Sequence, residues 1–218
     1  MSFAEHDYEP LPGLPAQLPP GEQLLWQGRP DWWLLARGAY RVHWLAGYFV
    51  LISLWRAATL ASAGVGTRAA AASMLLPMLL GLAVCVLLAG VAWLAARCTV
   101  YSLTNRRVVI RHGIAVPMAL NLPFTRVQGA ALCRRHRGGD LSLQLTAEQR
   151  IGYLVNWPHV RPGHYAQPQP MLRALQDVDA VSHLLGVALA ASVTEATPAA
   201  VAPSPRVAEP AHATRVAA

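Results

Sequence analysis

The strongest pattern in the chain is a pair of long apolar runs followed by a switch to alternation. From Val42 to about Ala61 the core WLAGYFVLISLW carries almost no polar side chain, and 69–96 holds no charged residue. Each run reaches the roughly 20 residues that a helix needs to cross a bilayer. The short stretch SAGVGTR between them makes the pair a helical hairpin. Arg56 interrupts the first run near its far end, close enough for its head to snorkel to the interface. Pro77 is placed to kink the second.

From Cys98 onward the period changes. TVYSL and RVVIR are short β-branched segments joined at Thr104-Asn105, and His112-Gly113 is the next turn. Further strands are expected near 119–121, 128–132, 141–145 and 151–155, with Gly138-Gly139-Asp140 as a turn. Many short strands at close spacing predict a small antiparallel sandwich or barrel. After a proline-rich stretch, Met171, Leu172, Leu175, Val178, Val181 and Leu185 fall on one helical face and predict a closing amphipathic helix. The apolar run at 181–193 is short for a third span.

This divides the chain into five parts. Residues 1–21 form a proline-rich cytoplasmic arm, and 22–41 an amphipathic Trp/Arg segment in which Trp26, Trp32 and Trp33, with Trp44 beyond it, sit as interfacial anchors would. The transmembrane helical hairpin spans 42–96, as helices at about 42–61 and 69–96. An α+β domain occupies 98–187, and an Ala/Pro-rich tail at 188–218 is expected to be disordered.

Charge then sets the orientation. The chain of 218 residues is 54% hydrophobic, only 13% charged, and carries a net charge of +7 with no lysine at all. Arg29, Arg37 and Arg41 precede the first run, Arg97, Arg106, Arg107 and Arg111 follow the second, and the connecting loop has only Arg68. The positive-inside rule places both termini in the cytoplasm. Eight arginines and no acidic residue lie between Arg97 and Gly139, a surface that attracts anionic headgroups at about 1 kcal/mol per residue. Solvated arginine stems packed over strands are the alternative use of the same residues. Nucleic acid is disfavoured, since the arginines sit on strands beside a membrane anchor.

Enzymatic chemistry finds little support. No phosphate-binding loop, nucleophile elbow or HExxH zinc motif is present, and Asp140 and Glu148 are isolated carboxylates. Cys85, Cys98 and Cys133 form neither a metal motif nor a disulfide framework. No cofactor is expected. His43 is the one histidine beside the first apolar run, where interfacial packing accounts for it.

The blocks YSLTNRRVVIRHG, NLPFTRVQGA and GGDLSL, following two helices, resemble a bacterial pleckstrin-homology-like (PH-like, bPH2-type) domain of membrane-attached type. The resemblance covers Cys98 to about Leu185 and implies two packed antiparallel sheets closed by a helix. Over roughly residues 7–186, the blocks YEPLPGLPAQLPPGEQLLWQGRPDWWLLARGAY and YLVNWPHVRPGHYAQPQPMLRAL are similar to the PuhB family of photosynthetic reaction-centre assembly proteins from purple phototrophic bacteria. That resemblance implies a non-enzymatic assembly factor of the inner, photosynthetic membrane. Its partners would be reaction-centre subunits, light-harvesting 1 subunits and anionic lipids, a homo-oligomer is left open, and His43 would be the one candidate ligand for a bacteriochlorophyll magnesium. The alternative is a generic membrane-attached PH-like protein that binds anionic lipid or another membrane protein. The residues expected to touch lipid or partner are Arg97, Arg106, Arg107, Arg111, Trp157, His159, Arg161 and Tyr165.

Overall fold

The computed structural model describes residues 17–146 and 151–196. The arm at 1–16, Glu148 and the tail beyond 196 lie outside the described residues. The chain opens with strand β1 (Leu24–Gly28) and a short helix α1 (Trp32–Gly38). Helices α2 (Val42–Ser62), α3 (Thr67–Ala72) and α4 (Leu75–Cys98) follow, then strands β2 (Val100–Thr104), β3 (Arg107–His112) and β4 (Met118–Pro123). Strands β5 (Val127–Arg135), β6 (Gly138–Leu145) and β7 (Met171–Leu175) precede helix α5 (Val178–Ala196).

The apolar runs form the expected hairpin. Val42–Ser62 and Thr67–Cys98 are both long and apolar enough to cross a membrane. Leu51, Leu54, Leu76, Leu79, Leu82 and Leu87 are each more than half exposed on these helices. In water each would forgo about 1.5–3 kcal/mol of burial, so the two helices ask for an apolar surrounding. Pro77 accounts for the break between α3 and α4. It has no N–H for the Ser73 carbonyl, and the helical bonding resumes only with the Met78 N–H on the Met74 carbonyl at 3.1 Å. Gly81 lets the two helices close, because a Cβ there would stand 2.5 Å from the Phe49 side chain.

The β-rich part is a sandwich of two antiparallel sheets, in the order β1-β2-β3-β4 and β5-β6-β7. Tyr101, Leu103, Ile110 and Leu122 of the first sheet meet Leu141, Leu143, Leu172 and Leu175 of the second in one core. Helix α5 closes it with Val178, Val181, Leu185 and Ala188, spaced i, i+3, i+7, i+10 along one face.

Four expectations are corrected. The 22–41 segment is not wholly a pre-membrane segment: Leu24–Gly28 pairs with β2, Gly28 opposite Tyr101 and Leu24 opposite Thr104, and Trp26 packs on the core rather than serving as an anchor. The sheet domain therefore begins before the hairpin, which is inserted between its first two strands. Met171–Leu175, read as helix, is the buried strand β7, because β6 offers it a ladder that helical spacing cannot reveal. Residues 151–155 form no strand and enter a turn at Tyr153, where the Gly152 carbonyl accepts both the Asn156 backbone N–H at 3.3 Å and its side chain at 2.8 Å. Helix α5 runs on to Ala196, so the tail does not begin at 188.

The β5–β6 turn sits at His136-Arg137, just before the glycine pair. Gly138 is required there, because its φ is +113° and a Cβ would stand 2.1 Å from the Leu175 carbonyl oxygen. The β2–β3 turn has a second task. Thr104 Oγ1 accepts the Arg106 and Arg107 N–H groups at 3.2 and 3.0 Å, which leaves Asn105 free to clasp the chain before β1. Asn105 accepts from the Gln23 N–H at 3.0 Å and donates to the Gly21 carbonyl at 3.1 Å. Beside it, Arg107 grips the buried Glu22 with Nε–Oε1 at 2.7 Å and Nη2–Oε2 at 2.8 Å.

Burial alone would raise the Glu22 pKa, but the bonds from Arg107 and Thr104 and the charges of Arg107 and Arg106 outweigh it and hold the carboxyl below its usual 4.5. A depressed carboxylate contributes stability above its unfolded value, which is lost as pH falls through the folded one. Glu22→Gln is expected to cost roughly 1.5–3 kcal/mol at neutral pH. It should also flatten the acid limb below pH 4.5. Thermal unfolding of the full chain in detergent across pH 3–7 checks both, and an unchanged acid limb would remove Glu22 as its source.

Candidate functional site: the junction of hairpin and sandwich

Where α4 ends, the chain must leave a helix and enter a sheet without stranding polar groups. Thr99, wholly buried, solves this by donating from Oγ1 to the Ala95 carbonyl at 2.7 Å. Its oxygen is then an acceptor for His159 Nε2 at 3.1 Å. Tyr101 Oη lies 2.8 Å from His159 Nδ1 and receives the Arg173 backbone N–H at 3.1 Å. Each hydroxyl has one proton; the Arg173 carbonyl lies 3.4 Å from Tyr101 Oη as a longer alternative acceptor, and one direction keeps the two short bonds, Tyr101 to Nδ1 and Thr99 to Ala95. Arg173 N–H donates to Tyr101, Tyr101 donates to Nδ1, Nε2–H donates to Thr99, and Thr99 donates to Ala95. This chain of bonds links α4, β2, the loop 151–170 and β7.

The assignment needs a neutral His159. Its ring is 2% exposed, and burial, reinforced by the neighbouring His112 and Arg173, pushes its pKa down to about 3. His112, with its ring centroid 5.3 Å away, is also lowered by burial, and its Nε2 donates to Asn156 Oδ1 at 3.1 Å. Both rings are thus structural. His159 is corrected from a partner-contact residue to a buried link.

The remaining predicted residues separate. Arg107 is engaged by Glu22 and is a structural cation, not a free surface charge. Arg106 is exposed at the tip of the β2–β3 hairpin. Arg111 pairs across from Val100, at the end next to α4, and Arg97 lies over the Trp93 ring at 4.4 Å in the last turn of α4. At about 3.3 Å per residue, the five residues of β2 place the tip about 17 Å from the helix root. The expected single basic patch is therefore two separate ends of one hairpin.

The loop after 150 has two faces. Asn156, His159 and Val160 point inward, while Leu154, Val155, Trp157 and Tyr165 are 85, 55, 44 and 70% exposed. Trp157 packs edge-on against Tyr40 with centroids 5.1 Å apart, and Tyr165 packs on Tyr153 at 4.8 Å. Tyr40 is one residue from Arg41, which caps the start of α2, so this apolar face adjoins the root of the first spanning-length helix. Arg161 is held to Gln169 at 3.1 Å. His43 is exposed beside Trp44, centroids 5.8 Å apart.

Other charged groups hold the scaffold. Asp31 caps α1 by accepting the Leu34 N–H at 2.8 Å and takes Gln176 Nε2 at 2.8 Å on its other oxygen. Asp140 accepts Arg135 Nε at 3.0 Å and the Ala174 N–H at 3.0 Å, which holds Ala174 at φ +55°. Asp140 is thereby committed to structure. Among the described residues no group of three or more His, Cys, Asp or Glu side chains could hold a metal ion. Sequence reasoning missed Thr99, Tyr101 and Arg173; the buried polar residues flanking the helix end were the available signal.

Residues 44–188 match the bacterial PH domain family, a range that leaves out β1. The chain is also similar to a Rhodobacter capsulatus protein named "Uncharacterized 23.7 kDa protein in puhA 5'region". The two are 35% identical over 197 residues, covering 89% of this chain and 92% of the relative. No solved structure matches the chain.

The junction predicts a specific pH response. A base whose folded pKa is about 3 against a usual 6.5 stays neutral when folded, while the unfolded chain binds a proton below 6.5. Stability should therefore be full above pH 6.5 and fall as pH drops toward 3. His159→Ala is expected to remove one bond each from the Tyr101 and Thr99 hydroxyls, which keep Arg173 and Ala95 as partners, at about 1 kcal/mol each, and to weaken that pH slope. Thermal melts of the full chain between pH 4 and 7.5 read both effects. A slope identical to that of the parent protein would refute the neutral-histidine link.

Proposed function

The chain belongs to the bacterial PH domain family, and from that membership we propose that it is a non-enzymatic, membrane-anchored scaffold that promotes assembly of the photosynthetic reaction centre. Its light-harvesting 1 antenna is included in that role. The hairpin packs beside nascent subunits in the bilayer while the sandwich binds their cytoplasmic faces. The observation that carries the reading is the junction itself. A stiff, buried hydrogen-bond chain joins the end of α4 to the sandwich, and an unpartnered apolar face stands beside the helix roots. Such a build holds a docking surface at a set position next to the bilayer.

Three further observations support it. The relative named for the puhA 5' region favours a role connected with photosynthesis, as does the likeness of the N-terminal and WPHVRP blocks to reaction-centre assembly proteins. The arginine distribution favours both termini and the sandwich in the cytoplasm, with α2 and α4 in the inner, photosynthetic membrane. The exposed side chains of Leu154, Trp157 and Tyr165 have the large apolar and aromatic character that binding hot spots favour. A second reading, in which the main partner is anionic lipid, is favoured by the arginines gathered between α1 and the second sheet.

Tagged full-length protein captured in mild detergent from phototrophically grown membranes is expected to enrich reaction-centre subunits by mass spectrometry. Leu154→Ser with Tyr165→Ser should reduce that recovery at least fivefold without altering the thermal midpoint, since both side chains are exposed. An eluate holding only lipid and unrelated proteins would overturn the scaffold reading. An absorption spectrum of the same eluate tests His43 as a pigment ligand, through loss of any co-eluting bacteriochlorophyll in His43→Ala.

A further inference from the structure

Between α1, the start of α2 and the second sheet lies an open cleft of about 450 Å³. Five arginines line it: Arg37 and Arg41 from the helix side, Arg135 and Arg173 from the strands, and Arg161 from the loop. Among the described lining residues the one carboxylate is Asp140, already engaged by Arg135 at 2.9 Å and by the Ala174 N–H. The balance of five cations against one anion leaves a strong local excess of positive charge.

Arg173 makes the cleft more than a solvated basic surface. It is only 8% exposed, and its side chain donates to a neutral group, the Val160 carbonyl, at 3.1 Å. Its Nε is buried with no partner at all. Burial works against the charged form of this guanidinium, and the nearby Asp140 charge offsets that only in part. An anion in the cleft would offset that cost. Arg37 and Arg41 are exposed, and among the described residues no carboxylate pairs with either. Guanidinium forks match phosphate oxygens bidentately.

The position of the cleft selects the source of the phosphate. Arg41 directly precedes α2, and His43 and Trp44 of the first turn of α2 also line the cleft. Where a spanning helix emerges from the bilayer, its first turn lies at headgroup depth. The exposed apolar side of α2 runs on from the same mouth. We propose that this cleft binds the phosphodiester headgroup of one anionic phospholipid, seating the sandwich against the membrane at a fixed height. The inference rests on α2 and α4 spanning the membrane, and it adds to the scaffold reading a lipid site distinct from the exposed face of the 151–170 loop.

The full chain in mild detergent should be titrated with short-chain phosphatidylglycerol, short-chain phosphatidylcholine and inorganic phosphate, with adducts counted by native mass spectrometry. One saturable phosphatidylglycerol is expected, bound at least tenfold more tightly than either other ligand. Arg37→Gln with Arg41→Asn should weaken it at least tenfold, and Arg161→Gln, on a separate element, should weaken it at least threefold. Arg106→Gln, at the hairpin tip, should leave it within twofold. Non-saturating uptake, equal binding to the parent and the double variant, or inorganic phosphate binding as tightly as phosphatidylglycerol would each overturn the proposal. Alkaline carbonate extraction tests the spanning premise separately: release of the protein would remove that premise whatever the titration gives. Unchanged reaction-centre recovery in the double variant would leave the scaffold reading standing without the lipid site.

Discussion

The constraint on which the rest of the structure depends is the exit of α4 into β2. A helix long and apolar enough to cross a membrane ends at Cys98, and two residues later the chain is in a sheet. The last carbonyls of a helix have no partner within it. Thr99, His159, Tyr101 and the Arg173 backbone satisfy the Ala95 carbonyl and one another in a single directed chain. An unsatisfied member would cost about as much as a large share of a small domain's net stability. The loop 151–170 and strand β7 are therefore held to the helix end, and the position of every outward-facing side chain on that loop follows.

The insertion of the hairpin between β1 and β2 has the same logic seen from the other side. Residues 24–28 and 100–104 are distant in the chain yet paired antiparallel, with one bulge between Leu24 and Trp26. Asn105 and Arg107 reinforce that pairing from the far end of the hairpin, through Gly21, Gln23 and Glu22. Helix α1 completes the junction by packing Leu35 against Ala95, Ala96 and Ala174. Both chain entries to the helical hairpin are thus fastened to the sandwich, so the sandwich has little freedom to swing about the hairpin. That rigidity is what the proposed docking role would require.

Charge is divided by burial into two kinds of work. Arg107 and Arg135 are spent on Glu22 and Asp140 and hold strands together. Arg37, Arg41, Arg161 and Arg173 converge on one cleft beside the root of α2. A count of arginines along the chain cannot separate these uses, because the separation depends on which guanidinium meets a carboxylate across the fold. The same holds for histidine: His43 and His159 both sit beside aromatic residues in sequence, but one is exposed at a helix start and the other is sealed in the junction.

The sequence by itself determined the elements whose signal is local. The two spanning-length helices, the β2–β3 hairpin, its turn one residue later than expected at Asn105-Arg106, the kink before Pro77 and the closing face of α5 all follow from hydrophobic period, turn chemistry and the missing proline N–H. A small antiparallel sandwich or barrel was legible at the same level, through short strands at close spacing, and the resemblance of the YSLTNRRVVIRHG, NLPFTRVQGA and GGDLSL blocks supplied its PH-like class. Only the tertiary structure decided that Leu24–Gly28 is a strand, that Met171–Leu175 is a strand rather than the start of a helix, and that 151–155 turns instead of extending. A five-residue apolar segment suits either regular structure, and the choice falls to whichever ladder stands open beside it. The site was legible only in part for the same reason. Trp157 and Tyr165 lie at the surface, whereas His159 and Arg107 were taken inward by partners 58 and 85 residues away, a distance that no local pattern reports.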